Sequence, residues 1–136
     1  MGKKIRLSIL TPASQFYDED VDYVLLRATE GEIVIMPGHT ALTCALDYGI
    51  MKIVVDGKEL KATLMGGFVE VSPNKITLLS DAAEWPENID VARAKASEER
   101  AMRRIATGGK EIDADRVDRA VRRAKLRIQA SSHKNK

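Results

Sequence analysis

Aromatic side chains are scarce in these 136 residues: two Phe, three Tyr and one Trp make up 4% of the chain. A core must therefore be aliphatic. Base stacking has little to use, because Trp85 is the one aromatic near the basic C-terminal part. A single cysteine, Cys44, excludes an internal disulfide and a thiolate zinc site; it suits a reducing cytosol and a small buried apolar position. Long apolar runs are missing too, none approaching the roughly 20 residues that cross a bilayer. The chain is expected to be neither exported nor membrane-spanning, and Arg6 stands where a myristoylation signal needs Ser or Thr. Catalytic signatures are also lacking: there is no phosphate-binding G-x-x-x-x-G-K-[ST] loop, dinucleotide G-x-G-x-x-G, nucleophile elbow or H-E-x-x-H. The two histidines, His39 and His133, form no familiar metal spacing with Cys44, and His39 suits a Pro-Gly-His turn.

What is present is enough for one ordinary domain or a small domain with an appendage, at 44% hydrophobic and 31% charged. Net charge is +2, yet it is unevenly placed. Residues 1–86 carry eight Lys and Arg against twelve Asp and Glu, a balance of −4; residues 87–136 carry fourteen against eight, a balance of +6. An acidic body and a basic tail suit different partners, and any anion-binding role belongs to the tail. A solvated basic helix face is the plainer alternative.

Up to about Ser80 the hydrophobic period is two. Ile5, Leu7 and Ile9 alternate with Arg6 and Ser8 before Thr11-Pro12, and further strands run through Val21–Leu25 and Ile33–Met36. Gly49 opens Ile50–Val55, Asp56-Gly57 predicts a tight hairpin, and Lys58–Met65 returns. A second hairpin runs from Gly67–Val71 through Ser72-Pro73-Asn74 to Lys75–Leu79, and Gly66-Gly67 marks a bulge or a close backbone approach. Short strands at intervals of about ten residues predict an α+β protein whose N-terminal part, residues 1–86, is an antiparallel β-sandwich or flattened barrel.

Residues 87–136 change to a period of 3.6 and predict an antiparallel two-helix hairpin. Asp90 is placed to cap the first helix and Ile89 to staple onto Ala94; Ile112-Asp113 repeats the arrangement, and Gly108-Gly109 breaks the chain between. Val117, Ala120, Val121, Ala124 and Ile128 form one stripe on the second helix, against Ala94, Ala101 and Ile105 on the first, with Met102 beside them. At about 0.8 kcal/mol per buried methylene, an alanine-rich face holds weakly. The hairpin is thus a candidate two-state element, with a static hairpin as the alternative.

Spacing gathers one constellation. In an antiparallel hairpin Arg93 approaches Arg127, and Arg100 approaches Arg119 and Arg123, while Glu84 and Asp90 supply acceptors nearby. Clustered guanidiniums repel unless compensated, and Arg suits bidentate phosphate contacts, so a phosphorylated ligand closing the hairpin is one reading. The other is neutralisation by Glu98, Glu99 and Asp118 as exposed salt pairs.

Three segments, Gly31–His39, Gly66–Val71 and Leu78–Glu84, followed by two Ala- and Arg-rich helices, resemble the epsilon subunit family of F-type ATP synthases in motif order over nearly the whole chain. Departures are Val34, often Gly in the family, Met36, usually Leu, and Thr40-Ala41, commonly Ala-Pro. The resemblance implies a ten-stranded sandwich on the central stalk that binds the gamma subunit and the c-ring without bond chemistry, peripheral to the cytoplasmic face of the plasma membrane. It also implies an inhibitory hairpin that extends toward the alpha and beta subunits, its basic row Arg116, Arg119, Arg122 and Arg123 facing the beta subunit. Some bacterial members bind ATP on the folded hairpin through an Ile/Leu-Asp-x-x-Arg-Ala motif. That motif reads Ile89-Asp90-Val91-Ala92-Arg93-Ala94 here, joined by Glu84, Arg100, Arg123 and Arg127. The resemblance thus implies no obligatory cofactor and no metal, with ATP as a regulatory ligand. A nucleotide-insensitive hairpin, or a basic nucleic-acid-binding module, are the rival readings.

Overall fold

The computed structural model describes residues 3–38, 40–107, 114–133 and 135. Eight strands among them form one sheet: β1 (Ile5–Leu10), β2 (Gln15–Val21), β3 (Tyr23–Ala28), β4 (Gly31–Ile35), β5 (Leu42–Val55), β6 (Lys58–Ser72), β7 (Lys75–Leu79) and β8 (Ala83–Glu84). The order is β2-β1-β7-β6-β5-β3-β4, with β8 on the outer side of β6. Ile5, Leu7 and Ile9 of β1 join Val24 and Leu26 of β3, Ile53 of β5, Val69 of β6 and Ile76 of β7 in a single aliphatic core, which is the interior of the sandwich.

Both expected hairpins are present. Val55 pairs with Lys58 around Asp56 (φ 51°) and Gly57 (φ 78°), the positive dihedrals of a tight two-residue turn, and Ser72 pairs with Lys75 around Pro73-Asn74. The sheet differs from a purely antiparallel one: β1 and β7 run parallel, Leu7 beside Ile76 and Ile9 beside Leu78. No hairpin turn fixes the direction of a pair so distant in the chain, and alternation in sequence is the same for either direction. Nor does the sheet close into a barrel, since β2 and β4 remain edges.

Two strands serve both layers. The first part of β5, from Leu42 to Leu46, pairs with the second part of β6; on its other side β5 pairs with β3, Lys52–Val54 with Tyr23–Leu25 and, past a register shift, Leu46 with Ala28. Divided there, β5 and β6 reconcile the eight strands with the ten that the resemblance implied. Gly66 (φ +75°) and Gly67 (φ +108°) lie where the outer partner of β6 changes from β8 to β7, yet the β5–β6 register runs through them unshifted, so the glycine pair marks a close approach and not a bulge on this ladder. A Cβ on Gly67 would lie 1.9 Å from the Leu79 carbonyl oxygen. The buried Ser80 hydroxyl ties the same corner, 2.9 Å from the Gly66 and Ala82 carbonyls and accepting from the Met65 N–H at 3.2 Å.

Alternation gave no sign of β2, because Asp18-Glu19-Asp20 interrupts it. On an edge strand those carboxylates are solvated, and they discourage pairing with another chain. Likewise β5 starts at Leu42, well before Gly49. Gly49 sits mid-strand because the Arg27 stem crosses it, 2.9 Å from where a Cβ would be.

A short 3-10 turn, Pro86–Asn88, leads to α1 (Val91–Thr107) and α2 (Ala114–Ser131). Trp85 anchors the joint by stacking on Phe16 at 4.7 Å, with Tyr17 edge-on at 6.0 Å. Asp90 caps α1: its Oδ1 accepts the Arg93 N–H at 3.0 Å. The Ile112-Asp113 cap, the Gly108-Gly109 break and the His39 turn lie outside the described residues. Ala101, Val117 and Val121 form the small core between the helices, while α2 also lies on β5 and β6. This second neighbour explains why Leu126 and Ala130, off the expected stripe, are buried. On α1 the expected stripe is only partly correct: Ala94 and Ala101 are buried, but Ile105 is 56% exposed and Met102 49%. No described helix is long and apolar enough to cross a membrane.

Candidate functional site

The start of α1 and the end of α2 meet at a recess of about 320 Å³ whose lining includes Glu84, Ile89, Asp90, Arg93, Ala94 and Arg127. Each arrives from a different local cause. Antiparallel pairing of β8 with β6 holds Glu84, whose N–H donates to Thr63 Oγ1 at 3.0 Å while that hydroxyl donates back to the Glu84 carbonyl at 3.3 Å. Capping fixes Asp90, and Arg93 follows in the first turn of α1. Arg127, on α2, donates from Nε to Glu84 Oε1 at 2.7 Å.

Ser97 lines this recess and also a second one of about 220 Å³, where Arg100, Arg104, Arg116 and Arg123 converge over Ala101, Val117 and Ala120. The two make a continuous groove along the helix pair. Arg93 shares its recess with Arg127, whereas Arg104 shares the next with Arg116, which is the antiparallel arrangement. Arg100 Nη2 donates to Ser97 Oγ at 3.1 Å.

Among the described residues no carboxylate comes within 4.0 Å of the Arg93, Arg100 or Arg123 guanidinium. Glu99 turns to Arg103 instead, at 3.6 Å, and neither Glu98 nor Asp118 reaches the cluster. Guanidiniums facing one another without counter-charge form a site of positive potential, lined along one side by apolar side chains that concentrate it. Such a groove can take a multiply charged anion. Glu84 and Asp90 stand beside Arg93 and Arg127 in the first recess, so the groove has carboxylates and guanidiniums together at that end and guanidiniums alone in the second recess.

Sequence reasoning missed Arg104, Asn88 and Ser97 as lining residues. Arg104 was within reach, since it follows Arg100 by four and shares its helix face. Of the basic row, Arg116 and Arg123 line the groove and Arg119 is exposed. Arg122 is bound to the sandwich: Nη2 donates to Asp47 Oδ1 at 2.7 Å, and the guanidinium lies 4.6 Å from the Tyr48 ring centroid. Raised pKa values occur at Lys4, Tyr17 and Cys44. Hydrogen bonding to Asp56 raises Lys4, while burial raises Tyr17 and Cys44.

Residues 4–86 match the beta-sandwich domain family of the ATP synthase delta/epsilon chain, and residues 87–132 match its long alpha-helix domain family. The ATP synthase epsilon chain of Desulforamulus reducens is 40% identical over 131 residues, 96% of this chain and 99% of that one. That of Pelotomaculum thermopropionicum is 46% identical over 104 residues, 76% and 78% of the two chains. Among solved structures, a chain of the Euglena gracilis mitochondrial ATP synthase shares the fold, with a TM-score of 0.74 and 21% identity over 96% of this chain and 81% of that one. Both domains being matched in order along residues 4–132, the chain belongs to the ATP synthase delta/epsilon chain family, as an epsilon subunit.

Proposed function

We propose that this chain is a non-catalytic subunit of the ATP synthase central stalk, peripheral to the cytoplasmic face of the plasma membrane. It couples the c-ring and gamma subunit to the catalytic head. Its helical hairpin inhibits ATP hydrolysis when extended and is held closed by ATP. The observation that carries the nucleotide reading is the groove: Arg93, Arg100 and Arg123 face it without carboxylate partners among the described residues, with Glu84 and Asp90 at one end as acceptors for a base or ribose. An anion bridging both helices favours the closed form by its differential affinity, about 2.7 kcal/mol at a hundred times its dissociation constant. For the stalk role, Phe68 and Leu79 support a partner-facing patch; this directly cross-strand pair is 58% and 51% exposed.

In the extended state Arg122 leaves Asp47 and Tyr48, and the basic row of α2 becomes available to acidic residues of the beta subunit. The test is calorimetric titration of the intact chain with ATP, alongside Arg93→Ala and Arg123→Ala. Saturable binding weakened tenfold or more in both variants supports the reading. Unchanged affinity, or no binding at millimolar ATP, removes the nucleotide from it. A nucleotide-insensitive hairpin is the second reading, favoured by the Glu84–Arg127 pair, which already holds α2 to the sandwich without a ligand. Charge reversal at Arg116 and Arg122 that left inhibition of the reconstituted ATPase unchanged would end the electrostatic brake.

A further inference from the structure

A cavity of about 630 Å³ lies between α2 and the sandwich and has no part in the groove described above. Its lining carries five Lys and Arg side chains, Arg27, Lys52, Lys61, Arg122 and Lys125, against two carboxylates, Asp47 and Glu32. Asp47 is already committed, accepting from both Arg122 and the Tyr48 N–H, at 2.7 and 2.8 Å. Lys52 and Lys61 share Glu59 at a long 3.8 Å each. Among the described residues, Arg27 and Lys125 have no carboxylate within 4.0 Å, and Glu32 reaches none of the five. The cationic heads also border apolar walls, Leu25, Ile50 and the buried Leu126, which strengthen their field.

From this the geometry points to an oxyanion site, taking inorganic phosphate or pyrophosphate, that clamps α2 to the sandwich. The planar Arg27 fork supplies paired donors, the lysines supply point charges, and a multivalent anion meets the positive excess that Asp47 and Glu59 leave unanswered. A nucleotide fits less well. Tyr48, the single aromatic of the lining, already carries the Arg122 guanidinium, so a base finds no platform of its own. Arg27 and Lys52 are sandwich residues and Lys125 belongs to α2, so one anion spans the joint that must part when the hairpin extends. The site stands independently of ATP binding in the groove between the helices.

The experiment is residue-resolved NMR on the intact chain at fixed ionic strength, titrated separately with phosphate, pyrophosphate and chloride. It is run on the wild type, Arg27→Gln, Lys125→Gln and Arg93→Ala. Both glutamine variants replace exposed side chains and leave the buried core intact. Saturable shifts at the Gly49 and Gln129 amides with phosphate or pyrophosphate are expected in the wild type and in Arg93→Ala, with affinity at least tenfold weaker in both glutamine variants. Response to phosphate but not pyrophosphate, or the reverse, identifies which oxyanion fits. The site is overturned by non-saturating shifts, by chloride acting equally, by shifts confined to the Arg93–Ser97 groove, or by glutamine variants that bind as well as the wild type.

Discussion

Arg127 Nε stands 2.7 Å from Glu84 Oε1, so a side chain late in α2 is tied to the last strand of the sandwich. The two side chains are each about one-third exposed, and solvent screens the pair. Its contribution is therefore about 0.5 kcal/mol rather than the several of a buried pair. Replacing Glu84 by Gln should lower stability by that amount in denaturant titrations at low salt. At 1 M salt the difference between variant and wild type should vanish.

Substituting Gly67 by Ala should be among the most damaging changes in the chain. The new methyl meets the Leu79 carbonyl oxygen at 1.9 Å, and the backbone there has φ +108°. Loss of more than about 3 kcal/mol is expected, enough to unfold a marginal domain. Gly57→Ala, with φ +78° but open space around it, should cost only about 1 kcal/mol. Comparing the two by urea unfolding separates collision from dihedral strain.

The Asn135 carboxamide pairs with both backbone groups of Lys61, accepting its N–H at 2.8 Å and donating to its carbonyl at 3.0 Å. The Asn135 N–H is in turn donated to Glu87. A side chain thus continues the ladder on the outer side of β6, where β8 pairs only Thr63 and Leu64. Asn135→Ala should cost about 1 kcal/mol. Hydrogen exchange at the Lys61 amide should accelerate while that at Ile53, in the core, stays the same.

Alkaline pH should loosen the fold. Lys4 is raised from 10.5 chiefly by its hydrogen bond to Asp56, Tyr17 from 10.0 chiefly by burial, and Cys44 from 9.0 chiefly by burial. Each group holds its proton more tightly folded than unfolded. Its stabilising share is complete below the ordinary value and is lost as pH rises through the raised one. Denaturation midpoints should hold near neutrality and fall from about pH 9 upward. Tyr17→Phe should flatten part of that fall.

Sequence carried the hairpins at Asp56-Gly57 and Pro73-Asn74, the Asp90 cap and the order of sandwich then helices, because each is encoded within a few residues. What it concealed depends on distant neighbours. The parallel pairing of β1 with β7 and the passage of β5 and β6 through both layers are settled by core closure. The same holds for Leu126, buried by a sheet that helix periodicity cannot see. In the groove, arginine spacing brought Arg93 to Arg127 and Arg100 to Arg123, yet it gave no warning that Arg122 would settle on Tyr48. A cation held over a ring has no periodic signature.

The parallel neighbours β1 and β7 set a schedule for the ribosome. Ile5, Leu7 and Ile9 leave the exit tunnel well before β7 and soon meet β2, but their other flank is completed only when Lys75–Leu79 has been made. Until β7 emerges that flank is an unpaired, greasy ribbon, and such ribbons recruit one another between crowded nascent chains. Pausing before residue 75 therefore prolongs the hazard, whereas rapid synthesis through residue 79 seals it.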